Sequence, residues 1–302
     1  MTHVQQSLNK KSNIWIHAQA PDEDEIKLLC TEYKLSERIV RDALDRDEIP
    51  RVEATGNHSH TYVITRFAYQ SPTGAIKTSP ILFALNEKRL VTVSLESLPS
   101  IADIMPEDMR TNEGSDSAHL MLLILLKIDA DYDRFIHDSS KQIRHLFDRL
   151  GERQVGIKTF LGFVHIEDDL NNFLRSLRPT NTTLRHLLTS QHAPMFERHS
   201  DQVNTVILNN EQSIQACEDN LMALDSIRRT YSLVNSHNLD RTIKILTMVS
   251  VFISIPTMFF SLYGMNIGLP FQREERAFTW LLVFCFFTVI SAYLIGRKKR
   301  IF

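Results

Sequence analysis

The stretch ILTMVSVFISIPTMFFSLYGMN, residues 245–266, decides the fold of this 302-residue chain. Its first 19 residues, Ile245 to Tyr263, carry no charge, and a second uncharged stretch of 20 residues runs from Ala277 to Gly296. Each is long enough to cross a bilayer as a helix, which takes about 20 apolar residues. We therefore predict two transmembrane helices near the end of the chain. Two buried helices of a soluble domain are the alternative interpretation.

The charges that flank these stretches predict their orientation. The sequence RKKR at 297–300 is typical of a cytoplasmic end, Arg241 and Lys244 precede the first stretch, and the segment 273–276 is charge-balanced. We expect a multi-pass protein of the cell membrane (inner or plasma membrane), with both termini in the cytoplasm and the loop 264–276 outside.

The composition of the remaining chain excludes several classes of protein. The net charge is -2, but 27 of the 34 basic and 34 of the 36 acidic residues precede Lys244, which gives that part a net charge of -7. Such a surface favours cations and disfavours nucleic acid, and no basic patch interleaved with aromatic residues argues otherwise. The cysteines at positions 30, 217 and 285 are too far apart in sequence for a disulfide framework or a CxxC metal site.

Catalytic motifs are not found in the sequence. It contains no HExxH, GxSxG or Walker A pattern, and its nine glycines leave little for phosphate-binding loops. His58 and His60, in GNHSH, and the segment HIEDD at 165–169 fit a solvated loop or an acidic first helical turn better than a metal site. We predict that the chain is not an enzyme.

Residues 14–110 alternate strand and helix patterns and predict an α/β domain. Helices are predicted for 22–35 and 36–47, the second with Ser36 as its N-cap. After Ser117 the pattern is helical, with predicted helices at 117–150, about 152–176 and 181–191. The predicted strands are IWIHA (14–18), TYVITRFAY (61–69), PILFAL (80–85) and RLVTVSL (89–95).

One very long helix is predicted to follow Pro194. Between Pro194 and Gly264 there is no glycine and a single proline, Pro256, so a helix over 197–263 is permitted, with a length of about 100 Å. Its soluble half carries an apolar seam interrupted by Asn210 and Arg228. The seam indicates packing on neighbouring helices or on the chain's own domain, and its members are Ile207, Ile214, Cys217, Leu221, Leu224 and Tyr231.

A stripe of hydroxyl side chains follows one face of the first predicted span. Ser250, Ser254, Thr257 and Ser261 recur at spacings of four, three and four, and towards the cytoplasm the same face reaches Asp240 through apolar positions. A polar stripe in a membrane needs either a neighbouring helix or water, so close helix packing and an ion pathway are both open. A single stripe encloses no channel, so a pore requires several copies of the chain.

The segment YGMN at 263–266 carries a family resemblance. It follows TIKILT (242–247) and IPT (255–257) and precedes LP (269–270), and this combination resembles the signature of the CorA family of divalent-cation transporters. The soluble part is similar in a looser way, through DALDRDEIPRVE at 42–53 and LVTVSLE at 90–96, so the resemblance covers most of the chain.

The resemblance implies a homopentamer with a funnel-shaped α/β cytoplasmic domain, a long stalk helix that continues into the pore-lining first span, and a second span outside it. It implies that Gly264, Met265 and Asn266 form the external selectivity filter. It also implies Mg²⁺ influx driven by the membrane potential and gated by intracellular Mg²⁺, which is both transported and regulatory. The implied pore-lining residues are Thr257, Ser261, Ser254, Ser250, Leu246, Ile243 and Asp240.

The implied domains are a cytoplasmic α/β and helical domain at 1–195, a stalk at 196–244, spans at 245–263 and 277–296, the external loop at 264–276 and a basic tail at 297–302. For the regulatory metal the candidates are Asp201, Glu211 and Asp219, which lie in the corresponding region of the stalk.

The chain departs from the family pattern at several positions. The family usually has asparagine in place of Asp240 and often methionine in place of Ile243 and Ser254, and a carboxylate commonly follows the LP step, where this chain has Phe271 and Gln272. These departures leave open Zn²⁺, Co²⁺ or Ni²⁺ as the transported ion. A membrane-tethered binding or scaffold protein is the alternative from another functional class.

Overall fold

The computed structural model describes residues 4–6, 15–54, 60–87, 89–98, 116–150, 157–189, 193–268, 274 and 276–298, and the structural statements below refer to these residues. The chain divides into two compact units, Met1–Ser226 and Ile227–Phe302. The division falls inside one long helix. The boundaries predicted above for the cytoplasmic domain, the stalk and the two spans stay predictions, because a division into compact units does not show where a membrane begins.

The first unit contains a six-stranded sheet in the order β1-β2-β6-β5-β4-β3. Strands β2 and β6 pair in parallel and the other neighbours are antiparallel. The four central strands correspond to the four predicted ones, with ends that differ by at most four residues, and Ile14 lies outside the described residues. The two edge strands were not predicted. The strands are β1 (Val4–Gln6), β2 (Trp15–Gln19), β3 (Arg51–Ala54), β4 (Thr61–Gln70), β5 (Ile76–Leu85) and β6 (Leu90–Ser94).

Both faces of this sheet are covered, which explains the nearly continuous apolar runs of its central strands. On one face, Tyr62, Leu82 and Val93 share a core with residues of the short helices α1 (Glu23–Glu32) and α2 (Glu37–Asp42). On the other face, α3 (Ser117–Leu150) and α4 (Ile157–Thr189) contact β4 and β5. The result is a layer of small helices, a sheet and a layer of long helices.

The two short helices begin in different ways. Asp22 caps α1 with a capping box: the backbone N–H of Glu25 donates to Asp22 Oδ1 (2.8 Å), and the backbone N–H of Asp22 donates to Glu25 Oε2 (3.1 Å). Ser36 precedes α2 as predicted, but its side chain makes no capping hydrogen bond. Instead its backbone N–H donates to the Tyr62 hydroxyl (3.0 Å), so a contact with the sheet fixes the start of α2.

The prediction of two helices on either side of Pro179 was wrong, since α4 runs through this residue. Proline removes one helical hydrogen bond and is expected to end or kink a helix. Here Leu177 and Leu184 are fully buried on either side of it. The Thr183 hydroxyl also donates to the Pro179 carbonyl (2.9 Å). Tertiary burial on both sides therefore outweighs the local cost of the proline.

The long helices α3 and α4 pack against the soluble half of α6 (Ser200–Tyr263), which follows the short helix α5 (Ala193–Phe196) and a 3₁₀ turn at Glu197–His199. Side-chain hydrogen bonds show that α3 runs parallel to α6 and α4 antiparallel to it. The α3 pairs are His119–Gln202, Asp133–Ser213 and Ser140–Asn220. The α4 pairs are Arg178–Glu218 and Arg185–Glu211, with Asn181 donating to the Ile207 carbonyl.

Half of the seam predicted on α6 is buried. Ile207, Cys217 and Leu224 are buried, whereas Ile214, Leu221 and Tyr231 are only partly buried. Asn210, which interrupts the apolar pattern, is fully buried. Ser213 is buried beside it. The face of α6 that packs in the first unit therefore contains two polar side chains.

The second unit contains the end of α6 and a further helix, α7 (Ala277–Lys298). One helix, α6, is long and apolar enough to cross a membrane, with a mean hydropathy of 2.0 over its most apolar window, and α7 contains a shorter apolar stretch, Phe278–Leu294. The rings of Phe259 and Phe284 meet edge to face at 5.1 Å between the two helices.

Candidate ion pathway

The hydroxyl stripe lies on the side of α6 that faces away from α7. The partly buried residues of this segment are Met248, Phe252, Ile255, Pro256, Phe259 and Tyr263, and Phe259 contacts α7 directly. Ser250 precedes Phe252 by two residues, which is a rotation of about 200° around a helix. Ser250, Ser254, Thr257 and Ser261 are all exposed in the single chain. The stripe is therefore not explained by packing between the two helices of one chain.

The hydroxyl groups of this stripe are oriented by the helix backbone. Ser250 donates to the Leu246 carbonyl (2.9 Å), Ser254 to the Ser250 carbonyl (2.7 Å) and Thr257 to the Ile253 carbonyl (2.7 Å). Because each hydroxyl has a single proton, these bonds leave the oxygen lone pairs as acceptors on the outer surface. A hydrated cation presents the hydrogen atoms of its water shell, which match such acceptors.

Apolar side chains and one carboxylate continue the same face towards the predicted cytoplasmic side. Leu246 is 65% exposed and Ile243 is 52% exposed. Asp240 follows one turn further and is exposed, with no ion pair among the described residues. Viewed along the helix, the surface changes from hydroxyl to apolar to acidic.

The chain leaves α6 in a turn at Gly264, Met265 and Asn266. The Gly264 N–H donates to the Phe260 carbonyl (3.0 Å) and the Met265 N–H to the Leu262 carbonyl (3.3 Å). A Cβ atom on Gly264 would lie 3.3 Å from the Phe260 oxygen, which is closer than most Cβ contacts. The glycine thus lets the turn close tightly over the end of the helix, and the Asn266 side chain is exposed beyond it. Leu269, Pro270, Phe271 and Gln272 lie outside the described residues.

The three candidates for a regulatory metal do not meet within one chain. Asp201, Glu211 and Asp219 lie on the same helix, ten and eight residues apart, so about 15 and 12 Å separate them along its axis. Glu211 pairs with Arg185, and the Asp219 carboxylate accepts from Gln215 Nε2 (2.9 Å). Among the described residues, no three His, Cys, Asp or Glu side chains cluster as metal ligands do.

The two histidine-containing segments, GNHSH and HIEDD, lie in different parts of the fold. His58 lies outside the described residues, whereas His60 is buried, its pKa is lowered by desolvation, and its Nε2 lies 3.1 Å from the Asn86 amide nitrogen. The prediction of a loop or first helical turn for HIEDD was wrong, because residues 165–169 lie well inside α4. Burial raises the pKa of Asp169 in this segment to about 6, with a smaller contribution from Asp168.

The sequence of the whole chain matches one family model. The model describes a CorA-like Mg²⁺ transporter protein and aligns with residues 10–298. The chain belongs to this family. The resemblance recognised from YGMN and its flanking segments is thereby confirmed. Because the family consists of membrane ion transporters, the prediction that the chain is not an enzyme is confirmed as well.

Individual CorA relatives agree with this assignment. The cobalt/magnesium transport protein CorA of Methanocaldococcus jannaschii is 23% identical over 291 residues, which cover 93% of this chain and 88% of the relative. The complete structure of the magnesium transporter from that organism matches with a TM-score of 0.84, at 20% identity over 94% of this chain and 90% of the other.

A further solved structure, of the full-length CmaX protein, matches with a TM-score of 0.75 at 18% identity, over 98% of this chain and 92% of the other. At such identities these likenesses concern the fold. They confirm the predicted CorA architecture of an α/β domain, a long helix and a C-terminal apolar helix pair.

Proposed function

We propose that this chain is the subunit of a homopentameric channel that admits Mg²⁺ to the cytoplasm. The observation that carries the proposal is the row of hydroxyl acceptors on α6, which faces away from the chain's own second apolar helix. In a member of the CorA family, copies of the chain around one axis would bring these rows together as the wall of a pore. Lipid would then contact the outer helix, α7.

Asn266 is the residue that we expect to select the ion. A ring of five amide oxygens at the outer mouth accepts hydrogen bonds from the water shell of Mg²⁺ and holds the ion without stripping it, which suits an ion that dehydrates reluctantly. Gly264 and Met265 position this ring at the end of the helix. The acceptors of Ser261, Thr257, Ser254 and Ser250 then carry the hydrated ion inward.

The inner part of the pathway is the proposed gate. Ile243 and Leu246 form an apolar constriction that closes by dewetting, and Asp240 attracts cations on the cytoplasmic side. Intracellular Mg²⁺ bound between the acidic bodies holds this gate closed. With both termini in the cytoplasm, influx follows the membrane potential, which contributes about 4.6 kcal/mol per 100 mV for a doubly charged ion.

Co²⁺ is a second candidate for the transported ion. The named relative from Methanocaldococcus jannaschii is a cobalt/magnesium transport protein, and a filter that binds the hydration shell discriminates poorly between divalent ions with similar shells.

Uptake by proteoliposomes tests the proposal. Liposomes that contain the purified chain and a Mg²⁺-sensitive dye are given an inside-negative potential with a potassium gradient and valinomycin. We expect Mg²⁺ influx that increases with the potential and needs no nucleotide. Influx no faster than in protein-free liposomes would contradict the proposal and favour a membrane tether. Repeating the assay with Co²⁺ as a competitor of Mg²⁺ influx tests the second candidate.

A further inference from the structure

A group of buried polar side chains lies where α3, α4 and α6 pack together in the first unit. Asn210 is fully buried, and Asp129 and Thr180 are each 5% exposed. Within the described residues, no hydrogen-bond partner is found for Asp129 Oδ2, Thr180 Oγ1 or either polar atom of the Asn210 amide. Buried polar atoms are usually paired, so several unpaired ones in a single bundle require an explanation.

The register of the helices brings these side chains to one level of the bundle. The Ser213 hydroxyl donates to Asp133 Oδ1 (2.7 Å), and Ser140 bonds Asn220 (3.0 Å), so residues of the parallel helices α3 and α6 pair at a constant offset. The same offset of 80 residues sets Asn210 within one residue of the level of Asp129. Asn210 also lies one turn from Ser213 and shares its buried face.

Helix α4 offers Thr180, whose hydroxyl is buried and has no hydrogen-bond partner among the described residues. The neighbouring residue, Asn181, donates from its amide to the Ile207 carbonyl of α6 (3.3 Å), which is one turn before Asn210. The oxygen atoms of this group come from two carboxylates, one amide and two hydroxyl groups. Asp129, Asn210, Ser213 and Thr180 are buried, whereas Asp133 is exposed, so the group reaches solvent on the Asp133 side.

The charge of this group is not compensated by the protein. No Lys, Arg or His pairs with Asp129 or Asp133 among the described residues, since the ion pairs of α3 involve other carboxylates. Asp131, which is also buried, pairs with Arg134 (3.3 Å). A buried carboxylate without a cation is costly, and a bound cation removes that cost.

We propose that Asp129, Asp133, Asn210, Ser213 and Thr180 form a binding site for a hard divalent cation such as Mg²⁺. Hard divalent cations bind oxygen ligands from carboxylates, amide carbonyls and hydroxyl groups, which is the set that this region offers. The site lies within a single chain, and it differs from the stalk candidates Asp201, Glu211 and Asp219. The bound ion joins α3 to α6 in the first unit and stabilises their packing. This inference does not depend on transport through the membrane part.

Terbium luminescence tests the site in the full-length protein in detergent. Tb³⁺ is a hard, oxygen-seeking probe, and its luminescence lifetimes in H₂O and D₂O report how many inner-sphere waters it retains. We expect each chain to bind about one Tb³⁺ ion, and we expect that ion to have lost most of its inner-sphere water. Excess Mg²⁺ should displace it. Tb³⁺ ions on the surface or at the pore mouth keep most of their water, so their luminescence lifetimes distinguish them from an ion in the proposed site.

Three variants make this experiment specific. Asp129→Asn removes a charged ligand while preserving shape, and Asn210→Leu removes the amide oxygen, so each should lose the poorly hydrated Tb³⁺. Asp131→Asn changes a buried carboxylate two residues away that pairs with Arg134, and it should retain the ion. If Asp129→Asn fails to fold by circular dichroism, Ser213→Ala replaces it, with the same loss expected.

Two results would overturn the inference. One is a wild-type protein that binds only well-hydrated Tb³⁺. The other is a poorly hydrated Tb³⁺ that persists in both Asp129→Asn and Asn210→Leu. In either case the polar group holds buried water alone. Because Tb³⁺ binding is read without transport, the result is independent of whether the chain conducts Mg²⁺.

Discussion

At the scale of single residues, the direction of each hydroxyl proton determines which hydrogen-bonding groups the proposed pathway presents to an ion. Ser254 and Thr257 use their protons on helix carbonyls, so their oxygen atoms remain as acceptors. Acceptors suit a cation that arrives with its water shell, because the outer atoms of that shell are hydrogens. An alanine at these positions would keep the helix and lose this property.

Asn266→Ala is the first prediction. Removing the amide should leave assembly unchanged and reduce Mg²⁺ uptake by about tenfold or more, because a hydrogen bond to a charged group contributes about 1.5–3 kcal/mol. Gly268→Ala is the matched control from the same turn, since a Cβ there meets nothing within 4 Å. Uptake by proteoliposomes measures the effect. Equal uptake by the two variants would remove Asn266 from the selection step.

The burial of Asn210 and its neighbour on α3 were not predictable from the sequence. In the sequence it interrupts an apolar seam, and polar interruptions on a helix are usually solvated. The structure buries it completely, within one residue of the level of Asp129 of α3. The sequence does not contain the offset between the two helices, so no pattern within either helix predicts this neighbour.

At the scale of elements, the apolar part of α6 has two opposite faces, of which one packs against α7 and the other is exposed in the single chain. One face, with Phe252 and Phe259, turns towards α7, and the other carries the hydroxyl groups. The spacing of the hydroxyl groups predicted a shared face, because a helix repeats every 3.6 residues. Which face meets α7 was not predictable, because apolar residues occupy nearly every position of α7.

Helix α4 was predicted as two helices and strand β3 was not predicted, and both differences have a physical reason. Separate helices were predicted at about 152–176 and 181–191, whereas α4 continues through Pro179, with Leu177 and Leu184 buried on either side. Strand β3 contains Arg51 and Glu53 and lacks an apolar run. It forms because it pairs with β4 and because Arg51 pairs with Asp42, Glu48 and Glu53. Tertiary contacts decided both cases, whereas local propensity sufficed for β4 and β6.

The second prediction concerns the pH dependence of α4. Burial raises the pKa of Asp169 from 3.8 to about 6, so between these values the folded protein binds more protons than the unfolded chain. Its contribution to the free energy of unfolding therefore falls as pH rises from about 4 to 6. Asp169→Asn should remove this decrease and raise the melting temperature most above pH 6.

Thermal unfolding of the full-length protein in detergent, from pH 4 to 7, checks this effect. Asp168→Asn is the comparison variant: Asp168 is exposed and adjacent and contributes less than burial to the raised pKa of Asp169, so this variant should keep most of the decrease. Melting curves of Asp169→Asn that run parallel to those of the wild type at every pH would show that Asp169 is solvated in the protein.

At the scale of the whole molecule, the acidic body is the basis of the proposed feedback by Mg²⁺. Residues before Lys244 carry a net charge of -7, so copies of the chain that assemble around one axis repel each other. Divalent ions between them reduce this repulsion. The third prediction is that protease cleavage within residues 1–240 rises when Mg²⁺ is chelated and falls when millimolar Mg²⁺ is restored.

Two controls make the digestion specific. Na⁺ at equal ionic strength should not restore protection, because screening alone does not bridge carboxylates. Asp129→Asn separates the two proposed roles of Mg²⁺, since its proposed site lies within one chain: protection that Mg²⁺ still restores in this variant comes from ions bound between the chains. Identical digestion of the wild type in all conditions would mean that the acidic surface is only solvated, and feedback by Mg²⁺ would be rejected.

The central claim is that the hydroxyl face of α6 lines the path of the ion, and substituted cysteines test it most directly. Ser254→Cys places a thiol on that face, and Ile255→Cys places one about 100° around the helix, on its partly buried side. A small cationic thiosulfonate reagent is applied to both sides of proteoliposomes during Mg²⁺ uptake. The wild type, in which Cys217 and Cys285 are buried and Cys30 is partly buried, is the reagent control. We predict that uptake by Ser254→Cys falls by most of its value while Ile255→Cys and the wild type are unaffected. Equal inhibition of the two variants, or no inhibition of Ser254→Cys, would contradict the account.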